Sequence, residues 1–189
     1  MIAALQAWRD DPQRCERLVF VSVEAHPLTR QDLARLQADS TSPELAAALI
    51  AQWPPLTPDL HRLGFDEGRV TLLLAFGDVQ DWLPQLIADV DAFFLDGFAP
   101  ARNPRMWDLR VCKALGRLAA PGATAATWSA ASALRADLST AGFAVERAAG
   151  IGGKRDITLA RFAPRHAVRR APARQAAPSG GAPTSLASR

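Results

Sequence analysis

Three carboxylates in this chain each stand where an apolar, β-type run stops. Glu24 follows residues 17–23, Asp78 follows residues 69–76 by way of Gly77, and Asp96 follows residues 92–95. The carboxyl end of a strand is where open α/β sheets place their ligands. One acid there is unremarkable, but three at one sheet edge form a constellation. The first can hydrogen-bond a ribose diol, as in nucleotide-binding folds. The next can accept from the exocyclic amine of adenine, and the third then faces a reacting group. Asp96 has a second reading as a turn cap, because Gly97, Pro100 and Pro104 forbid continued strand or helix and aspartate closes such turns well.

Several elements must position these acids. Residues 2–9 read as the last turns of a helix. Residues 17–23 are β-branched and apolar and form a strand. Thr29 can N-cap the next helix, and Ser42 with Pro43 at the first position opens another over 43–53, stopped by Pro54 and Pro55. Residues 60–65 and 69–76 read as a hairpin around a three-residue loop. A short helix over 79–87 leads to the strand at 91–95. Helix is expected over 106–118, stopped by Pro121-Gly122, then strand over 123–128 and helix over 130–140. Residues 143–147 and 156–162 close the domain as an antiparallel pair. Strands alternate with helices, which favours a mostly parallel sheet and an α/β fold. Residues 164–189, rich in Ala, Pro, Ser, Gly and Arg, have no apolar periodicity and read as a disordered linker or tail after a domain over 1–163.

The 189 residues suit one domain, and 49% hydrophobic content suffices for a core. Two cysteines, Cys15 and Cys112, are too few for a disulfide framework and point to a reducing compartment. His26, His61 and His166 lie far apart, so spacing predicts no metal. No run is long and apolar enough for a transmembrane helix, and the first ten residues lack signal-peptide order. A cytoplasmic protein is expected. The pI near 9.5 invites a nucleic-acid reading, yet residues 1–163 hold all 19 acids and 17 of the 22 basic residues. Basicity is mostly a property of the tail. One local cluster, Arg102, Arg105, Arg110, Lys113 and Arg117, reads either as a solvated helix face or as an RNA contact.

Several stretches resemble the MnmC family of bifunctional tRNA 5-methylaminomethyl-2-thiouridine biosynthesis proteins, in its N-terminal methyltransferase domain. They are Glu24-Ala-His-Pro-Leu-Thr29, His61-Arg62 with Asp66-Glu-Gly-Arg-Val70, Phe76-Gly-Asp78, and above all Leu95-Asp-Gly-Phe-Ala-Pro-Ala-Arg-Asn-Pro-Arg-Met-Trp107. Pro121-Gly122 and Gly150-Ile-Gly-Gly-Lys-Arg155 also fit, and the similarity runs from about residue 1 to 162. The resemblance implies a Rossmann-like class I sheet and S-adenosylmethionine as methyl donor. It further implies methylation of the aminomethyl group on a tRNA wobble uridine, beside an FAD-dependent oxidoreductase domain that first removes a carboxymethyl group from the same nitrogen. Glu24 would be the ribose acid, Asp78 beside Gly77 the adenine acid, and Asp96 the active-site acid near the methyl. The family's first strand and glycine-rich turn would precede residue 1, because no Gly-x-Gly element lies before Glu24. The FAD domain would follow the tail. The sheet is therefore expected to lack its first strand.

Methyl transfer to an amine is a direct displacement, so most of its catalysis is positioning. Asp96 can accept a hydrogen bond from the amine and orient it, whereas an exposed aspartate is a poor strong base. Phe98 and Trp107 can stack on the uridine or wall the pocket, or simply pack in the core. Arg102, Lys154 and Arg155 can meet tRNA phosphates, or sit in solvated turns. Three functions remain open: a tRNA methyltransferase, a catalytically inactive remnant of one, and an RNA-binding module built on the tail and the 102–117 cluster.

Overall fold

The computed structural model describes residues 1–97, 102–150 and 155–163. Helix α1 spans Ile2–Asp10 and is followed by strand β1, Leu18–Glu24. Helix α2, Arg30–Leu36, begins where the Thr29 hydroxyl accepts from the Asp32 amide. Helix α3, Pro43–Gln52, starts on its proline, but Ser42 at the cap position makes no side-chain cap bond. Strands β2, Leu60–Phe65, and β3, Val70–Phe76, form the expected hairpin. Its loop, Asp66–Gly68, carries positive φ at all three residues.

The predicted helix over 79–87 is shorter. Helix α4 spans Val79–Trp82, and a 3-10 turn over Leu83–Gln85 uses up the rest. Pro84 explains the change, since its ring cannot continue the α-helical ladder. Strand β4 covers Val90–Phe94, so Leu95 separates it from Asp96. The expected helix over 106–118 is divided. A 3-10 turn takes Pro104–Trp107, and α5 runs over Leu109–Leu118 from a cap at Asp108, whose carboxylate accepts from the Val111 amide at 2.9 Å. Strand β5, Ala119–Thr127, begins earlier than predicted and contains Pro121 and Gly122. Its register against β4 jumps there, which lets a strand hold a residue without an N–H. Helix α6, Ser132–Thr140, and strands β6, Phe143–Ala149, and β7, Asp156–Phe162, complete the order.

The strands form two sheets rather than one edge-to-edge sheet, in the orders β1-β3-β2 and β4-β5-β7-β6. The hairpin and the closing pair are antiparallel as expected, and the mostly parallel pairing expected of the rest is corrected at β5–β7, which is antiparallel as well. The pairs β1–β3 and β4–β5 are parallel, while β2–β3, β5–β7 and β6–β7 are antiparallel. The parallel pairs carry the acids, and the antiparallel ones are the hairpin and the closing strands. No strand among the described residues lies between β1 and β4, where the resemblance implies one. The Phe20 and Phe94 rings stack there with centroids 6.3 Å apart, and Val19 and Phe94 stay largely exposed.

Each sheet has its own core. Leu5 and Trp8 of α1, Leu45 and Leu49 of α3, and Val70, Leu72 and Leu74 of β3 pack together. Val111, Cys112, Leu115 and Leu118 of α5, at helical spacing, pack with Leu134, Leu138 and Phe143. Burial of each such large side chain stabilises by about 1.5–3 kcal/mol. Arg110 and Lys113 stand on the opposite, exposed face of α5. No helix among the described residues is long and apolar enough to cross a membrane.

Candidate cofactor and catalytic site

Parallel pairing in register sets the first two acids side by side. Glu24 is the β1 partner of Phe76, and the Gly77 amide donates to the Glu24 carbonyl at 2.9 Å. Asp78 is the next residue and caps α4, its Oδ1 accepting from the Gln80 amide at 2.8 Å. The Glu24 side chain is exposed, and its Oε1 accepts from the His26 amide at 2.8 Å. Gly77 has φ +146, a conformation that L side chains rarely adopt. A Cβ there would also lie 2.8 Å from Nε1 of Trp82, and that indole is held by a bond to the Phe76 carbonyl. Glycine is thus dictated twice over, by its backbone angle and by the Trp82 indole that lies against it beside the two carboxylates.

Asp96 lies two residues beyond β4 and is exposed, its Oδ1 accepting from the Gly97 amide at 2.9 Å. A Cβ at Gly97 would come within 2.6 Å of Met106, so the chain at 97 rests directly on the 3-10 turn. That turn is joined to the Asp78 region. Arg105 approaches Asp78 at 3.9 Å, and the Gln80 side chain donates to the Arg105 carbonyl at 2.7 Å. The segments that carry Glu24 and Asp78 therefore meet at the Gly77–Glu24 backbone bond, and that of Asp96 is joined to them through the 105–107 turn.

Of the readings considered for Trp107, its burial speaks for core packing. Its indole is only 7% exposed and sits in the second core, beneath Gly97. It forms a floor for the loop and offers no open face to a base. Arg102 and Arg155 are exposed. Phe98 and Lys154, and the tail over 164–189, fall outside the described residues. Sequence reasoning missed Gln80 and Asp108, whose polar side chains tie the site's two halves together. The available signal is an Asp three residues before Val111, which a helix beginning at 106 conceals.

The basic cluster at 102–117 does not act as one unit. Arg117 donates to the Leu86 carbonyl at 3.0 Å and to the Leu83 carbonyl, which pins the turn after α4 to α5. A surface cleft of about 450 Å³ lies elsewhere, between α1 and the start of α3. Arg9 there is engaged by Asp66 and Ser42 by Gln6. It is not the site of the carboxylates. No group of three or more potential metal ligands occurs among the described residues.

The donor set suits the adenosine end of a nucleotide-like cofactor. Two carboxylates end adjacent parallel strands, with a side-chain-free turn between them. Comparison with known proteins agrees. A family described as S-adenosyl-L-methionine-dependent methyltransferase matches residues 41–163. The chain is 68% identical over 165 residues to the tRNA 5-methylaminomethyl-2-thiouridine biosynthesis bifunctional protein MnmC of Methylibium petroleiphilum, covering 87% of this chain and 25% of that protein. It is 56% identical over 171 residues to the protein of the same name from Cupriavidus necator, covering 89% of this chain and 26% of that one. The chain thus spans about a quarter of the length of these curated relatives. The crystal structure of MNMC2 from Aquifex aeolicus has the same fold, with a TM-score of 0.65 at 22% identity, over 87% of this chain and 50% of that one. The Rossmann-like α/β fold, the methyl donor and the likeness to MnmC expected from sequence are all borne out, and the chain belongs to the S-adenosyl-L-methionine-dependent methyltransferase family.

Proposed function

We propose that the chain transfers a methyl group from S-adenosylmethionine to the aminomethyl nitrogen of 5-aminomethyl-2-thiouridine at the wobble position of tRNA. It does so in the cytoplasm and beside an FAD-dependent oxidoreductase domain. The observation that carries this reading is the Glu24–Gly77 junction, which sets two carboxylates at the ends of neighbouring parallel strands. The names of the relatives supply the substrate.

Glu24 would accept from the ribose hydroxyls and Asp78 from the adenine amine, while Gly77 lets the backbone approach. When bound, the cofactor supplies an electrophilic methyl carbon. Asp96 accepts a hydrogen bond from the substrate amine and points its lone pair along the line of attack. Such positioning is the main lever in a direct displacement. Arg102 and Arg155 meet tRNA phosphates, and Lys154 and Phe98 belong to the same proposed surface. The alternative of a simple RNA-binding module is weakened by Arg117 and Arg105, which are engaged by the fold at Leu83, Leu86 and Asp78.

The test is methyl transfer from a radiolabelled donor to hypomodified tRNA, with donor affinity measured by calorimetry. Asp96→Ala, which removes the acceptor, should lower turnover about 100-fold while donor affinity stays within about twofold. An unmodified chain that binds no donor would remove the cofactor assignment. Donor binding without transfer to this tRNA would remove the substrate assignment.

A further inference from the structure

Gln80 has every polar side-chain atom directed at the segment that follows the Asp96 loop. Its Nε2 donates to the Arg105 carbonyl at 2.7 Å and to Oδ2 of Asp108 at 2.9 Å, and its Oε1 accepts from the Arg105 guanidinium at 3.5 Å. Its own backbone amide meanwhile donates to the Asp78 cap. Asp108 uses its other oxygen to cap α5 at Val111. One half-buried side chain thus joins two helix caps that lie about 30 residues apart along the chain. One cap belongs to the turn of Gly77 and Asp78. The other ends the segment on which Gly97, next to Asp96, rests.

Only an amide satisfies all these partners. A carbonyl and a carboxylate both require donors, and an arginine requires an acceptor. Glutamate at this position would set a second carboxylate against Asp108. An apolar residue would leave the Arg105 carbonyl without its donor.

We propose that Gln80 is a positioning residue that couples the cofactor turn to the substrate loop, so that S-adenosylmethionine and tRNA each tighten the binding of the other. The proposal rests on the function given above. The coupling requires no contact between Gln80 and either ligand. A cofactor seated on Asp78 fixes α4, α4 fixes Gln80, and Gln80 fixes the 105–108 segment beneath the Asp96 loop. Ordering paid once serves both ligands, and the coupling is reciprocal by thermodynamic necessity.

The test measures the cofactor dissociation constant of the intact protein by calorimetry, with and without saturating hypomodified tRNA. In the unmodified protein tRNA should tighten cofactor binding roughly tenfold. In Gln80→Glu the constant without tRNA should stay within about twofold, the tightening should vanish, and the KM for tRNA should rise by a similar factor. The double exchange Gln80→Glu with Asp108→Asn restores the bond between positions 80 and 108 with donor and acceptor reversed but leaves the Arg105 carbonyl without its donor, and should recover only part of the coupling. A purely structural role would instead lower the melting temperature and weaken cofactor binding in both conditions, and that pattern overturns the proposal. So does coupling that survives Gln80→Glu, or its absence from the unmodified protein. Failure of the unmodified protein to bind the cofactor at all would overturn the assignment of the site first, and this inference with it.

Discussion

The Gly77 amide donates to the Glu24 carbonyl across 2.9 Å, which fastens the turn after β3 to the end of β1. Two residues 53 positions apart thereby become one surface. Whatever disturbs the backbone at Gly77 must disturb the seat of both carboxylates.

Gly77→Ala should therefore harm stability and cofactor binding together. Alanine at φ +146 is strained, and its Cβ would press on an indole that is already bonded to Phe76. A strained backbone position of this kind costs about 1–3 kcal/mol. Gly64→Ala is the control, since a Cβ there meets nothing within 4 Å. Denaturant unfolding should separate the two variants clearly. Equal unfolding midpoints for both would show that the turn tolerates a side chain.

Glu24 and Asp78 should part company when stability and affinity are measured side by side. Glu24→Ala removes an exposed carboxylate that accepts from the His26 amide two residues along the chain. It should leave the melting temperature nearly unchanged and weaken cofactor binding about tenfold, as expected for losing a charged hydrogen-bond partner. Asp78→Ala removes a helix cap as well, so it should also lower stability by about 1 kcal/mol. Calorimetry with parallel thermal melts checks both. Unchanged cofactor affinity in Glu24→Ala would count against the assignment of that residue.

The acids are legible in the sequence because each ends a run whose pattern is unmistakable. The residues 70–76, with five of seven positions buried, can hardly be other than a central strand. The hairpin around residues 66–68 is equally plain. The join between the site's halves is not legible. Gln80 and Asp108 are ordinary polar residues, and their meeting depends on where α4 stops and α5 starts. Sequence pattern sets those boundaries a few residues away from Pro84 and Asp108, where the chain actually turns. Trp107 escapes the sequence for a related reason. An aromatic beside a loop can face out or in, and only the packing of α5 against β4 and β5 turns it inward. The hairpin and the closing antiparallel pair are legible, but the antiparallel join of β7 to β5 is not, because the sequence does not say which strand the closing pair sits against.

The ion pair of Arg9 and Asp66 ties α1 to the β2–β3 loop, with Nε of Arg9 donating to the carboxylate at 2.9 Å. The Arg9 hydrogen bond holds the Asp66 carboxyl below its usual range, against a smaller opposing effect of burial. A group whose folded pKa is depressed adds stability above its unfolded pKa and loses it as pH falls through the folded value. Asp66→Asn should cost about 1–2 kcal/mol near neutral pH, the low end for a charged hydrogen bond because Arg9 is a third exposed. Asparagine tolerates the positive φ of this position, so the backbone is retained. Urea unfolding should show the gap between variant and parent beginning to close as the pH drops below the ordinary aspartate value of about 4, and closing further toward the depressed value of folded Asp66. A gap of constant size down to a pH of about 2 would mean that the ion pair is not its cause.

The two cysteines should differ sharply in reactivity. Cys15 is exposed, whereas Cys112, on the buried face of α5, is 1% exposed. Burial pushes the Cys112 thiol up to about 12, and the charges of Asp137 and Asp108 add to the effect. The thiolate is the reactive form, so Cys112 has almost none near neutral pH and no path for a reagent to reach it. An aromatic disulfide reagent at a pH of about 8 should label one thiol of the folded chain rapidly, and the second only at the rate of unfolding. Cys15→Ser should then abolish the rapid phase and leave the slow one. The slow phase also reports on the α5 cap, because Asp108 holds the start of the helix that carries Cys112. Asp108→Ala should speed it by roughly fivefold, the effect of losing about 1 kcal/mol of cap. If both thiols instead react together in the parent chain, the second core opens far more readily than its packing implies.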